Sequence, residues 1–160
     1  MVFAGFGSGH SKAMFQRILV PTDGTPTSNR AVQAAAGVAN RFGATLTLFH
    51  ALPKFRSPYY PEGAVFAWPP EKEYLAESAK FADDLLANAK SSVERKGVKV
   101  ATVYVYSDSP AEAIVAAATK AKADLIVIAS HGRQGLQKLL LGSETQKVLA
   151  LTKLPVLVVR

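Results

Sequence analysis

The chain has 160 residues, 49% of them hydrophobic and 19% charged, with a net charge of +7 and no cysteine. That length and apolar content suit one domain with a substantial core, and no run of about 18 apolar residues occurs, so disorder, collagen-like repeats and a membrane span are excluded. The lack of cysteine removes disulfides, thiolate metal sites and cysteine nucleophiles, and is compatible with a reducing, cytoplasmic home.

Met1 to Ala13 are rich in Gly and Ser, carry only Lys12 as a charge and lack the basic and apolar regions of a signal peptide. Residues 1–14 are therefore expected to be a flexible extension and residues 15–160 the folded domain. Gly5, Gly7 and Gly9 follow no strand, so they are not read as a nucleotide fingerprint. Ile18-Leu19-Val20 reads as the first strand, ended by Pro21 and the Asp23-Gly24 turn. Thr27 or Ser28 can cap a helix with Ala31, Ala35, Val38, Ala39 and Phe42 inward, which Gly43 stops. Ala44 to His50 reads as the second strand.

Leu52 to Pro70 is rich in Pro and aromatic residues, without a sustained period, and is long for a loop in a compact domain. From Glu71 to Lys96 a stripe through Tyr74, Ser78, Phe81, Leu85, Ala89 and Val93 predicts the longest helix. Val98 to Tyr106 reads as the third strand. Ser109-Pro110 opens a helix to about Lys120 with Ala113, Ile114 and Ala117 inward, and Leu125 to Ile128 reads as a fourth strand. That strand has no polar alternation, which suits a parallel strand covered on both faces. A helix from Ser143 to about Leu151 and a last strand from Val156 to Arg160 complete the chain. Strict alternation of strand and helix predicts an α/β fold, a single open doubly wound five-stranded parallel sheet with helices on both faces. In such a sheet ligands sit beyond the carboxyl ends of the strands, near the point where strand order reverses.

Several residues there can carry chemistry. Asp23 can accept hydrogen bonds from ribose hydroxyls or an adenine amino group, or it can simply bond to its own backbone in the turn. Spacing does not separate the two. The segment from Ala129 to Ser143 ends at a helix start, where unpaired N–H groups favour an anion. Gly132 and Gly142 would let a phosphate approach the backbone, with Ser143 donating its hydroxyl; alternatively the glycines only make turns and Ser143 is only a cap. His131 has no Ser, Cys or carboxylate in a recognisable nucleophile arrangement beside it, so no catalytic residue is assigned. His10, His50 and His131 share no ligand spacing with carboxylates, and no metal site is expected.

Residues 1–60 hold six basic and one acidic residue, 61–119 six and nine, and 120–160 seven and two. The positive excess thus falls on the candidate ligand loops, where Arg133, Lys138 and Lys147 can attract polyphosphate or merely face solvent. No arginine-rich run or RNA-binding aromatic motif occurs, so nucleic acid is not an expected partner. Tyr59, Tyr60, Phe66 and Trp68 can stack over a base, pack beneath the loop or fill a dimer contact.

From Phe15 to Arg160 the chain resembles the universal stress protein family. The landmarks are Ile18-Leu19-Val20-Pro21-Thr22-Asp23-Gly24, Leu48-Phe49-His50-Ala51, Ile126-Val127-Ile128-Ala129-Ser130-His131-Gly132-Arg133, Leu140-Leu141-Gly142-Ser143 and Pro155-Val156-Leu157-Val158-Val159. The resemblance implies an adenine nucleotide α-hydrolase-like, Rossmann-like sheet of strand order 3-2-1-4-5. Nucleotide-binding members carry Gly-x2-Gly-x9-Gly followed by Ser or Thr, which falls here on Ala129, Gly132, Gly142 and Ser143. The first glycine is alanine in this chain, which weakens binding if the position needs positive φ or backbone approach to the ribose, and is harmless if φ is negative and the contact is through the backbone.

The resemblance further implies ATP, with Mg2+ between its phosphate oxygens. Pro21, Thr22 and Asp23 would lie at the ribose or adenine edge, the Ala51 backbone would read adenine, and Ile128 with Ala129 would flank the sugar. Gly132, Gly142, Ser143 and the Glu144 amide would cradle the phosphates, and His131 and Arg133 are further expected cofactor-binding residues. A homodimer through the final strand is implied too. The expected function is ATP binding in stress response or signalling; the alternatives are a nucleotide-free dimeric adaptor of the same fold and a slow ATPase.

Overall fold

The computed structural model describes residues 14–56, 70–131 and 141–160. Except for Met14, the expected extension lies outside the described residues, as do Tyr59, Tyr60, Phe66, Trp68, Gly132, Arg133 and Lys138. The elements run β1 (Arg17–Pro21), α1 (Pro26–Phe42), β2 (Thr45–Leu52), α2 (Glu71–Glu94), β3 (Val100–Tyr106), α3 (Pro110–Lys120), β4 (Leu125–Ala129), α4 (Ser143–Leu151) and β5 (Val156–Val159). Every strand pairing is parallel and the order is β3-β2-β1-β4-β5, as expected.

Alternate residues of the central strands feed two cores. Ile18 and Val20 of β1 with Leu125 and Val127 of β4 pack under α1 and α2, while Leu19, Ile126 and Ile128 pack under α3 and α4. All five residues of β4 are buried, which accounts for its unbroken apolar run. No described helix is long and apolar enough to cross a membrane.

Three local expectations need correction. α1 is capped by Thr25 instead of Thr27 or Ser28: Pro26 takes the first helical position, and the Thr25 hydroxyl accepts from the Ser28 amide at 3.2 Å. Ser28 is drawn inside, its Oγ donating to the Thr25 carbonyl at 3.0 Å. In α3 the buried residues are Ala111, Ile114 and Ala118, with Ala113 and Ala117 half-buried beside them. In α2 the buried face runs through Ala82, Leu86, Ala89 and Val93. Tyr74, Ser78 and Phe81, the amino-terminal half of the expected stripe, lie elsewhere.

Candidate functional site

The switch in strand order lies between β1 and β4, and these two strands are in register only at Ile18–Leu125 and Leu19–Ile126. Asp124 holds their amino ends together, its carboxylate accepting from the Gln16 and Arg17 amides at 2.8 and 2.9 Å. Toward the carboxyl ends no ladder joins them, and the crevice opens there. It forms a cavity of about 940 Å³, at the upper end of the roughly 300–1,000 Å³ of small-molecule sites.

On the β1 side, Pro21, Thr22 and Asp23 line the cavity. Buried Thr22 is held from both backbone groups: its N–H donates to the Phe49 carbonyl at 2.8 Å, and its carbonyl accepts from His50 Nδ1 at 2.7 Å. A carbonyl carries no proton, so Nδ1 of His50 does. Asp23 Oδ1 accepts from the Thr25 amide at 3.0 Å and the Thr25 hydroxyl at 2.7 Å. The turn role is thus observed, and Asp23 also lines the cavity. Ala51, near the end of β2, completes this wall.

The opposite wall is built from backbone. Ile128 and Ala129 end β4, and buried Thr145 ties α4 to it by donating its hydroxyl to the Ala129 carbonyl at 2.8 Å. Ala129 does not have positive φ, so its methyl group sits on ordinary strand backbone. Gly142 is the N-cap of α4, its amide donating to the Ser130 carbonyl at 2.7 Å. A Cβ on Gly142 would stand 3.1 Å from that same oxygen, so it is the close approach, and not its φ of −67°, that favours glycine here.

Gly142 as cap offers no side chain to the first-turn amides of Ser143, Glu144 and Thr145, which have no intrahelical acceptor, and among the described residues no side-chain acceptor for them is seen. The cap role expected as an alternative for Ser143 belongs to Gly142; Ser143 is the exposed first residue of the helix. Glu144 does more than offer an amide: its carboxylate accepts from the Ala111 amide at 3.0 Å and pairs with Lys147 at 2.8 Å. His131 Nδ1 lies 3.0 Å from Ser130 Oγ, a neighbour the sequence reading did not give it. Ser130 is only 2% exposed, so this contact presents no accessible nucleophile.

The far end of the cavity is formed by side chains of α2. Tyr74, Glu77, Ser78 and Phe81 line it. Phe81 approaches the His50 ring at 5.9 Å between centroids, and Ser78 Oγ lies 3.0 Å from the Tyr106 hydroxyl. Tyr74 donates its hydroxyl to the Pro53 carbonyl at 2.9 Å and packs its ring on Phe55. Sequence reasoning missed these residues because their helical spacing is the same as that of core residues. The available signal was topological: the helix of a βαβ crossover starts at the carboxyl end of the sheet, so apolar residues in its first turns face the crevice.

The model of the universal stress protein family matches residues 14–160. The chain belongs to this family. Universal stress protein MJ0531 of Methanocaldococcus jannaschii is 35% identical over 147 residues, spanning 92% of this chain and 83% of that one. Among solved structures, the M. jannaschii protein MJ0577 superposes with a TM-score of 0.76 at 28% identity, covering 91% of this chain and 96% of that one. A universal stress protein in complex with cAMP superposes with a TM-score of 0.67 at 25% identity, covering 92% and 98%. As a universal stress protein, the chain has the adenine nucleotide α-hydrolase-like fold; Ala129 and Gly142, two of the positions expected to carry the nucleotide-binding motif, line the cavity, and Gly132 lies outside the described residues.

Proposed function

We propose that this universal stress protein binds an adenine nucleotide, ATP with Mg2+, in the crevice between β1 and β4, and acts in stress response or signalling as a cytoplasmic homodimer. The observation that carries the reading is the Gly142 junction. A Cβ here would be tight against the Ser130 carbonyl, and glycine as cap offers no side chain to the first-turn amides, so a positive helix end faces the cavity wall. A phosphate fits that chemistry. Asp23 and the Ala51 backbone would take the nucleoside, and Mg2+ would supply charge neutralisation between phosphate oxygens. A relative of this fold solved with cAMP supports the same ligand class. The departure from glycine at Ala129 does not strain the backbone, since its φ is not positive.

β5 is an edge strand with Leu157 exposed, and Leu149 and Leu151 of α4 are exposed nearby in sequence. An unpaired strand edge with apolar neighbours supports a homodimer through β5, to be checked by light scattering on the eluting protein.

The nucleotide reading is tested by calorimetric titration of the stripped protein with ATP and Mg2+, beside Gly142→Asp and Ser143→Asp. The first variant fills and charges the junction; the second adds the charge at an exposed position that demands no space. Saturable binding lost in both, with Ser143→Asp still folded by circular dichroism, is the expected result. No heat with the parent protein, and no nucleotide retained through purification, would favour the nucleotide-free adaptor.

A further inference from the structure

We infer that the Glu144 side chain determines how much phosphate charge the site accepts, favouring a nucleotide with few phosphate charges over a free triphosphate. The inference rests on the nucleotide reading above and deepens it. Glu144 is the second residue of α4, directly beside the amides that would receive a phosphate, and it lines the cavity. One carboxylate oxygen accepts from the Ala111 amide at 3.0 Å, in the first turn of α3. The protein's own carboxylate therefore occupies the positive end of α3, which a second phosphate group would otherwise find.

The other oxygen pairs with Lys147 at 2.8 Å, but the Lys147 side chain is 63% exposed and that of Glu144 only 38%. Water screens the lysine more than the carboxylate, so compensation across the pair is incomplete. The rest of the described wall points the same way: its other formally charged residues are Asp23 and Glu77, and among the described residues no Lys or Arg lines the cavity.

A phosphate held by the first turn of α4 thus lies close to a fixed negative charge, and each added phosphate charge meets it again. At the dielectric of a protein surface, such a neighbour costs about three- to thirtyfold in affinity per charge. ATP carries about two more negative charges than AMP at neutral pH. A divalent cation offsets this difference, which gives ATP a requirement for Mg2+ that AMP lacks.

The test is titration of the parent protein, Glu144→Gln and Lys147→Gln with AMP, ADP and ATP in a chelating buffer without divalent cations. Glutamine can still accept from the Ala111 amide, so Glu144→Gln removes charge and keeps the cap. The expected result is that the ratio of ATP to AMP dissociation constants falls by at least about tenfold in Glu144→Gln and rises in Lys147→Gln, with ADP intermediate. Nucleotides that bind with an unchanged ratio in both variants, or a ratio that moves in the same direction in both, would overturn the inference and leave the nucleotide reading intact. No binding of any nucleotide to any of the three proteins overturns that reading and this inference with it.

Discussion

The two ends of the cavity are built by different means. At the β4–α4 end the contacts offered are backbone: a glycine at a close approach, uncapped helix amides and a threonine tying helix to strand. At the α2 end they are side chains, with Phe81 against His50 and Tyr74 against Phe55 and Pro53. A backbone wall is set by the path of the chain, and at its closest point, Gly142, an added Cβ meets main chain. A side-chain wall can change without disturbing the fold, since the same helix turns a separate face to the core. One end is therefore suited to a feature that all ligands of a class share, such as a phosphate, and the other to what distinguishes them.

Two substitutions on one helix would break or sharpen that contrast. Leu86 is 3% exposed in the core under α1 and α2, and Leu86→Ala is expected to cost about 2–5 kcal/mol in urea unfolding while leaving nucleotide affinity unchanged in the folded fraction. Phe81, five positions earlier, is 43% exposed and faces the cavity. Phe81→Ala is expected to lower nucleotide affinity about tenfold, the loss of roughly one aromatic contact, with a much smaller change in stability. Equal stability losses for the two would make the α2 end ordinary core and remove the contrast.

These two residues also show what could be read from the sequence. The alternation of β-branched runs with amphipathic stretches, punctuated by Gly43 and Gly97 at positive φ, made the fold legible, because each break is a local backbone requirement. At the backbone end the helix start after Gly142 was legible, but Gly142 read only as a turn or as room for a phosphate, and its role as cap against the Ser130 carbonyl depends on how α4 packs on β4. The α2 end was not legible, since Tyr74, Ser78 and Phe81 carry the spacing of a buried stripe and only the packing of the helix shows that they miss the core. The cap of α1 was misplaced because Thr25, Thr27 and Ser28 are all competent caps, and Pro26 decides among them. The Glu144 carboxylate was invisible for a third reason: its partner Ala111 is 33 residues away, and their meeting depends on how α3 and α4 pack.

A smaller effect tests the backbone end. Ala129→Gly would restore the family's glycine, yet the φ of Ala129 is not positive and it lies inside a buried strand. No gain in nucleotide affinity is expected, with a stability loss of about 0.5–1 kcal/mol from added freedom in the unfolded chain. Tighter binding in this variant would mean that the methyl group itself obstructs the ligand, and the account of the backbone wall would need revision.

The smallest effect concerns how the side-chain end is anchored. Pro53 lines the cavity, and the following residues are fastened by Asp108, which accepts from the Lys54 amide at 3.3 Å and pairs with Arg56 at 3.1 Å. The hydrogen bond from Arg56, foremost, holds the Asp108 carboxyl below its ordinary value of 3.8. A carboxylate whose folded pKa is depressed stabilises the fold fully above its unfolded pKa, and that contribution is lost as pH falls through the folded value. The fastening is therefore intact at neutral pH and loosens only in acid below about 4, which excludes it as a physiological pH sensor. Because the pair is exposed, its removal should leave neutral-pH stability nearly unchanged. Carboxyl NMR titration of Asp108 should show a midpoint below 3.8 in the parent protein and an upward move in Arg56→Gln. A midpoint already at the ordinary value would mean that Arg56 does not hold the carboxylate in solution, leaving the contacts of Tyr74 as the anchor of this end.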